Sequence, residues 1–241
     1  MNNDFMLYPD FKLKALTFSY DDGPKEDRHF IELLNKYGLK GTFNLNSELL
    51  GNQNELIREG VRIAHNKIDP KDVRAIYAGH EVAVHTLTHP RLPDIAEDAE
   101  IIRQVEEDRK KLSELVGYDV VGMAYPCGGV NNDDRCAALI KENTGVRYAR
   151  TITSSESFDP QENLFRFNPT CYHHGDWNKL FALADEFLAL KTESPKIFYI
   201  WGHAYEFDIY PERWAIFEDF LKKIGGKDDI FYGTNKEVLL W

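Results

Sequence analysis

Strand-like and helix-like stretches alternate along almost the entire chain, and this alternation limits the folds that it can adopt. Short apolar stretches rich in β-branched and aromatic residues predict strands at 13–20, 40–46, 80–85, 120–125, 146–152, 164–170, 196–201 and 230–232. Apolar residues at helical spacing predict helices at 26–37, 54–65, 69–77, 94–116, 132–142, 177–190 and 211–224. Strands separated by helices indicate βα units and a mainly parallel sheet.

The length of the chain favours one arrangement of these units. Its 241 residues suit a single domain over residues 1–241, and an α/β barrel of about seven or eight βα units has this size. An open, doubly wound sheet is the alternative. The sequence contains neither GxGxxG nor GxxxxGK[ST], so no fingerprint indicates a nucleotide-binding version of either fold.

Charge and hydropathy argue against two classes of partner, nucleic acids and membranes. A net charge of −11 argues against nucleic acid, because proteins that bind it present basic surfaces. No apolar stretch approaches the ~20 residues of a membrane span, and residues 1–11 lack the features of a signal peptide. We therefore expect a cytoplasmic protein without membrane contact. Cys127, Cys136 and Cys171 show no metal-site spacing, and we expect free thiols.

Two adjacent carboxylates close the first predicted strand. Asp21 and Asp22 are followed at once by Gly23 and Pro24, which signal a turn. Side chains alternate along a strand, so both acids can serve one site only if the backbone turns there. That geometry lets one acid bind a cation while its neighbour remains free as a base. An acidic turn without any catalytic role is the alternative.

Two histidines follow the strand predicted at 80–85 in a similar way. His85 and His89 have the spacing of a zinc-binding helix, but Thr86 stands where that motif has glutamate, and Pro90 disfavours helix at His89. They are therefore expected on a loop at a strand C-terminal end, where parallel barrels gather their active sites. With one aspartate they supply three ligands to a divalent metal.

Five motifs carry a resemblance to a known family. SYDDGP, HTLTHP, AYPCGG, GDW and IWGH occur in this order within residues 16–203. Together they resemble the polysaccharide deacetylases of carbohydrate esterase family 4, the NodB-homology fold. The resemblance implies a distorted (β/α) barrel of about seven parallel strands and the metal-dependent hydrolysis of N- or O-acetyl groups from an acetylated carbohydrate. It implies Zn²⁺ as the cofactor, with Co²⁺, Ni²⁺ or Mn²⁺ as alternatives.

The resemblance also assigns a metal site and a base. Asp22, His85 and His89 match the positions of the family's metal ligands. Asp21 matches the neighbouring aspartate that acts as general base and takes a proton from the attacking water.

The later motifs imply the remaining roles. His203 matches the histidine that protonates the leaving group, and Asp176 resembles the acid that tunes it. The third motif implies a backbone amide at or near Cys127, beside Tyr125, as a donor to the oxyanion. Trp177 would offer an apolar wall or a face for stacking a sugar ring.

The sequence departs from the family pattern at two places in the third motif, Ala124 and Cys127, the second of which replaces the usual aromatic residue. Ala124 stands where the family usually carries an arginine that steadies the catalytic aspartate, so Arg166 or another basic residue substitutes in space, or Asp21 is held differently. Asp176 equally fits an N-cap of the helix predicted at 177–190. His173 and its neighbour at 174 either line the site or belong to an exposed polar loop.

Two rival functions follow from the same residues. A non-haem Fe(II) oxygenase also uses two histidines and one carboxylate, although its usual HxD…H order differs from the order in this chain. A catalytically silent carbohydrate-binding relative of the same fold is the second rival, and the altered third motif favours it. The particular sugar, the choice between N- and O-acetyl groups and the oligomeric state stay open.

Overall fold

The fold is described from a computed structural model that covers residues 7–240. Residues 1–6 and 241 lie outside the described residues, and so does most of the segment on which the signal-peptide prediction depends. Between residues 7 and 240, no helix combines the length and the apolar character needed to cross a bilayer. All three cysteines are free thiols.

Eight parallel strands form the principal sheet, seven of them in one continuous order, which confirms the predicted distorted barrel of about seven strands. The ten strands of the described chain are β1 Lys14–Asp21, β2 Gly41–Leu45, β3 Glu55–Arg58, β4 Val61–Ala64, β5 Glu81–Val84, β6 Gly122–Ala124, β7 Tyr148–Arg150, β8 Cys171–Tyr172, β9 Lys196–Gly202 and β10 Ile230–Tyr232. Their order in the sheet is β7-β6-β5-β2-β1-β9-β8, and β10 pairs in parallel with the first half of β1. The central strand, β1, is buried along its whole length.

A short irregular segment joins the two edges of this sheet. The amide of Phe167 donates to Ala149 of β7, while the amide of Thr170 donates to Tyr199 of β9. The predicted strand at 164–170 is therefore wrong in its bounds, because the segment starts as a 3₁₀ turn, Leu164–Arg166, and only β8 is regular strand. Phe167 also accepts from the amide of Thr151, so two bonds link the segment to the end of β7 and one links it to β9 where a full ladder is missing.

Helices cover the outside of the barrel. They are α1 Asp27–Lys36, α2 Val73–Ile76, α3 Asp98–Val116, α4 Asp134–Asn143, α5 Trp177–Ala189, α6 Glu212–Ile224 and α7 Asn235–Leu239. Each of the longer ones buries an apolar stripe, as Ile101, Val105 and Leu112 do in α3. These stripes and the strand residues that face them, such as Phe18 and Phe43, form the main apolar core. Ala15, Ile197 and Tyr199, on the other face of β1 and β9, belong to a second, smaller cluster.

The helix predicted at 54–65 is wrong, because this stretch is the antiparallel hairpin β3–β4. Glu59 and Gly60 form its two-residue turn, both at positive φ (51° and 78°), as a tight hairpin requires. Ile63 packs against Tyr205 and Ile209, in the segment that follows β9. This tertiary contact and the turn outweigh a sequence pattern that also fits a helix.

Candidate active site

The C-terminal ends of six strands, β1 and β5 to β9, surround one cavity of about 280 Å³. Its walls bring together residues from distant parts of the chain: Asp21, Asp22, His85, His89, Tyr125, Cys127 and His203. Seven of the nine site residues expected from sequence therefore lie in a single cavity. The other two, Asp176 and Trp177, lie elsewhere.

The backbone adopts an unusual conformation at four positions around this cavity. Asp22, Thr86, His89 and Cys127 have φ values of 79°, 69°, 63° and 69°. Side chains rarely tolerate this left-handed region, least of all a β-branched threonine. At Asp22 this is the turn that the paired aspartates require, since it sends the second carboxylate toward the same cavity as the first. Strain of this kind persists where the surrounding structure holds it.

Asp22, His85 and His89 present one ligand atom each to a common point. Nε2 of His85 lies 3.7 Å from Oδ1 of Asp22, and Nε2 of His89 lies 3.5 Å from the same oxygen. The three ligand atoms all lie within 4.8 Å of one another. One carboxylate and two imidazoles suit a zinc-type cation and leave coordination positions open.

The protonation of His85 fits this use. Its Nδ1 lies 2.8 Å from the carbonyl oxygen of Ala124 and must donate to it, so Nε2 keeps its lone pair free on the side of Asp22. Burial lowers the pKa of His85 to about 4, so the ring is neutral at pH 7. The residue that replaces the family's arginine thus positions a proposed metal ligand through its backbone.

Two buried polar side chains fix the loop that carries both histidines. The amide nitrogen of Asn46 donates to the carbonyl oxygens of His85 and Thr86, at 2.5 Å and 2.9 Å. The carboxylate of Asp108 accepts from the backbone amide of His85 at 3.2 Å. The bonds from Asn46 satisfy two loop carbonyls, and Asp108 gives the His85 amide a second acceptor besides the carbonyl oxygen of Leu45 in β2, at 2.9 Å. Together they hold the conformation with positive φ at Thr86.

Positive charge keeps Asp22 ionised. Burial alone would raise its pKa, but the ammonium of Lys67, 3.8 Å from Oδ2, and His65, 3.1 Å from the same oxygen, hold the pKa well below its ordinary value. The carboxylate can therefore bind a cation at neutral pH through Oδ1, the oxygen that faces His85 and His89.

Asp21 is bound to a buried arginine from another strand. The guanidinium of Arg150, at the end of β7, donates to both carboxylate oxygens at 2.6 Å and 2.5 Å. Asn44 donates to Oδ1 at 2.8 Å. Arg150 is fully buried, and its guanidinium lies 4.6 Å from the ring centre of Trp201. The Asp21 side chain is thereby held in one position beside the cavity.

Arg150 is therefore the basic residue that substitutes in space for the arginine absent at Ala124. Arg166 does not take this place, because it donates to Asn132 and Asp134 instead, at 2.8 Å and 2.5 Å. Of the alternatives that the sequence leaves open, the structure selects a basic residue other than Arg166.

Glu206, and not Asp176, lies against His203. Oε2 of Glu206 is 3.2 Å from Nδ1 of His203 and accepts from the backbone amide of the same residue at 3.1 Å. Burial alone would lower the pKa of His203, but the charge of Glu206 outweighs it and raises the pKa to about 9. Tyr172 donates to the other oxygen of Glu206. His203 is therefore an imidazolium at neutral pH.

The expectations for Asp176 and Trp177 are not met. Asp176 caps helix α5 by accepting from the amide of Lys179 at 3.1 Å, which is the alternative that the sequence left open. Trp177 packs into the core against Phe207 and Phe217, with ring centres 6.4 Å and 6.2 Å apart. Neither side chain lines the cavity.

His173 is neither exposed nor part of the cavity wall. It is fully buried and stacks on Tyr20 and Phe207, with ring centres 5.3 Å and 4.6 Å apart. Its Nδ1 lies 2.8 Å from the hydroxyl of Tyr20. Burial lowers the pKa of His173 to about 3, so the ring is neutral. It packs against β1 through Tyr20.

Sequence reasoning missed Arg150 and Glu206, although each carries a signal. Arg150 lies near the C-terminal end of a predicted parallel strand, at the same kind of position as Asp21 and His85. Glu206 follows His203 by three residues, a spacing at which side chains meet in a helical turn. What the sequence does not show is which acid meets which base across the barrel.

Comparison with known proteins places these features in a family context. The sequence profile of the polysaccharide deacetylases matches residues 9–149, more than half of the chain. A chitooligosaccharide deacetylase from Rhizobium leguminosarum bv. phaseoli is 29% identical over 117 residues. That match covers 48% of this chain and 41% of the relative, so the chain matches less than half of the relative's length.

Solved structures share the fold across almost the whole chain. A family 4 carbohydrate esterase from Streptomyces lividans, in complex with acetate, is 16% identical with a TM-score of 0.57, covering 92% of this chain and 93% of that one. A peptidoglycan deacetylase from Bacillus subtilis is 17% identical with a TM-score of 0.53, covering 94% and 90%. At such identities the likeness establishes a common fold and not a common activity.

We predict that Arg150→Ala lowers the free energy of unfolding by about 3–5 kcal/mol, because it leaves the Asp21 carboxylate buried without its charged partner. Urea denaturation measures this change. Arg166→Ala is the matched control: its partner Asp134 is exposed, and an exposed pair contributes about 0–1 kcal/mol. Equal losses in the two variants would contradict the role of Arg150 as the anchor of Asp21.

We predict that Asp22→Asn and His89→Ala each weaken zinc binding at least about 10-fold, because each removes a proposed ligand. Asp21→Asn should change zinc affinity little, since its amide oxygen still accepts from Arg150. Competition with a chromophoric chelator measures the affinities, on proteins whose circular dichroism matches the wild type. Loss of zinc in Asp21→Asn would reverse the division of labour between the two aspartates.

Proposed function

The chain belongs to the polysaccharide deacetylase family, and from this premise we propose that it hydrolyses acetyl groups from an acetylated carbohydrate with the help of a divalent metal. One observation carries the proposal. A single cavity brings together the Asp21 carboxyl group, three side chains that could hold a metal ion and the imidazolium of His203, which are the groups that acyl hydrolysis by an activated water requires.

The donor set of Asp22, His85 and His89 fits a zinc-type cation, with Co²⁺, Ni²⁺ or Mn²⁺ as alternatives. The neutral His85 and the ionised Asp22 are already in the protonation states that ligands need. A bound cation would act as a Lewis acid on the acetyl carbonyl and on the attacking water.

Asp21 is proposed as the general base. Its carboxylate is held beside the cavity by Arg150 and Asn44, so it cannot rotate freely toward the metal position. There it would take a proton from the attacking water. Because Arg150 contacts both oxygens, the guanidinium also fixes the orientation of the carboxyl group between turnovers.

The backbone amide of Cys127 is proposed as a donor to the oxyanion. In the described part of the chain this amide makes no hydrogen bond, and the residue lines the cavity. The positive φ of Cys127 accompanies this open backbone. An amide that is already oriented stabilises charge as it develops at no cost in reorganisation.

His203 is proposed as the general acid, with Glu206 as its positioning residue. The imidazolium would give a proton to the departing amine or alcohol. Glu206 keeps the ring charged and fixes its Nδ1 side, so that Nε2 is the nitrogen left to donate. Tyr172 and the amide of His203 hold Glu206 in turn.

The sugar is proposed by analogy with the relative. That protein is described as a chitooligosaccharide deacetylase, so N-acetylglucosamine oligosaccharides are the first substrates to test. The match reaches less than half of that relative, and O-acetylated sugars belong in the same panel.

A catalytically silent carbohydrate-binding protein is the remaining alternative. Its main support was the missing arginine of the third motif, but Arg150 makes the contact with Asp21 that such an arginine would make. Turnover decides between the two functions, because a silent relative would bind sugars without releasing acetate.

The deciding experiment measures acetate release from acetylated oligosaccharides, together with the metal content of the purified protein. We expect about one zinc-type ion per chain, acetate release that stops on chelation and returns with zinc, and a rate at least ~10²-fold lower in Asp21→Asn. A protein that binds metal but releases no acetate from any N- or O-acetylated sugar would favour the silent alternative. Failure to bind any metal would refute the metal-dependent reaction.

The elevated pKa of His203 gives a second prediction. Activity should persist up to about pH 9 and fall as the imidazolium loses its proton above that pH. Glu206→Gln removes the charge that raises this pKa, so the alkaline limb of the kcat profile should move down by more than ~1 pH unit, toward the ordinary pKa of about 6.5. Asp176→Asn is the control and should leave the limb unchanged. If the alkaline limb does not move in Glu206→Gln, a residue other than His203 is the general acid.

A further inference from the structure

A second depression, of about 250 Å³, adjoins the active-site cavity beneath the β3–β4 hairpin. The two share three wall residues, Asp22, Arg58 and His89. The second one also contains Lys67 and the amide side chains of Asn52 and Asn54. We call this depression the basic subsite. None of the catalytic roles proposed above uses it.

Arg58 differs from most other arginines of the chain. Nine of the twelve form an ion pair with a carboxylate, which balances their charge within the protein. Arg58 has no carboxylate partner within residues 7–240, although the chain carries eleven more negative than positive charges. Arg58 is exposed, and its side chain hydrogen-bonds Tyr205. Because it has no internal anion and lies at the wall shared by two cavities, its guanidinium is available to an anionic ligand.

Lys67 adds a second positive charge on the same side. Its side chain is 4% exposed, and its ammonium lies 3.0 Å from Nε2 of His65 and 3.8 Å from Asp22. Among residues 7–240, Asp22 is the only carboxylate that lines the subsite, and it already faces His65, Lys67 and the two proposed histidine ligands. Asp21, Glu26 and Asp27 also act on Lys67 but do not line the subsite. The lining side chains themselves therefore carry two positive charges, on Arg58 and Lys67, against one negative charge, although the chain as a whole is acidic.

We propose that the basic subsite binds an anionic group, a carboxylate or a phosphate, carried by the acetylated sugar. This inference rests on the proposed function and names the class of substrate: an acidic saccharide. The planar guanidinium of Arg58 can donate two parallel hydrogen bonds to such a group, and the amides of Asn52 and Asn54 can donate more. Because the two cavities share a wall, the anion and the acetyl group lie on the same or on adjoining sugar rings.

The experiment compares substrates that differ only in charge. An N-acetylglucosamine disaccharide with a 3-O-lactyl carboxylate, its neutral carboxamide and a 6-phosphate analogue are assayed with the zinc-loaded full chain. We expect the wild type to prefer one of the acids over the amide by roughly 10- to 100-fold in kcat/KM, the effect of a charge-assisted hydrogen bond. The acid that is preferred identifies the group as carboxylate or phosphate.

Two arginine variants of the hairpin locate this preference. In Arg58→Gln the ratio between acid and amide should fall toward one. Arg62→Gln removes the same charge from the neighbouring strand β4, where Arg62 pairs with Glu55 on an exposed face, and the ratio should stay as in the wild type. An acid preference that survives in Arg58→Gln, or is lost equally in Arg62→Gln, would overturn the proposal.

Binding measured without turnover separates this inference from the proposed function. Calorimetry on Asp21→Asn protein should show tighter binding of the acid than of the amide, and the difference should persist after chelation. A difference that disappears on chelation would mean that the metal holds the anion, which would refute the subsite. Acetate release at equal rates from acid and amide would keep the proposed function and refute the subsite. Charge-dependent binding through Arg58 without any acetate release would keep the subsite and refute the proposed function.

Discussion

The buried ion pair between Asp21 and Arg150 is the interaction on which the rest of the site depends. It joins β1 to β7 across the barrel, although three strands separate them in the sheet. A charge removed from water is tolerated only when a partner compensates it, so each of these residues requires the other. The pair fixes which aspartate is free to face the two histidines. Because Arg150 and Asn44 occupy Asp21, only Asp22 presents an oxygen near both His85 and His89.

The same requirement appears on the opposite side of the cavity. His203 can remain charged in a buried setting because Glu206 lies 3.2 Å away and is itself held by Tyr172. In both cases the partner comes from a position other than the one that the family motifs imply. A buried charged side chain requires an opposite charge close to it, and a barrel brings the ends of many strands close together. The partner is therefore free to come from another segment, whereas the groups proposed to meet the substrate are found within the motifs.

The hairpin β3–β4 brings a positive charge to the edge of the cavity in a protein that is acidic overall. Its packing against the segment after β9 carries Arg58 over the edge of the cavity, next to the buried Lys67. The long-range field of a chain with net charge −11 repels anions, but salt screens it beyond about 10 Å, so the contacts of an anion with Arg58 and the buried Lys67 dominate at short distance. A site can therefore favour an acidic ligand inside a protein that is acidic overall.

The sequence by itself determined the parallel barrel and the residues of the proposed metal site and base. Alternation of strand and helix patterns is local, and the SYDDGP and HTLTHP motifs lie at strand ends that any parallel barrel brings together. The partners of the charged groups were decided by tertiary structure. Arg150 and Arg166 are equally plausible in sequence, and so are Glu206 and Asp176, because pairing depends on which side chains meet after closure of the barrel. The hairpin at β3–β4 was missed for a similar reason: its apolar residues fit a helix until their contact with Tyr205 and Ile209 fixes them as strands.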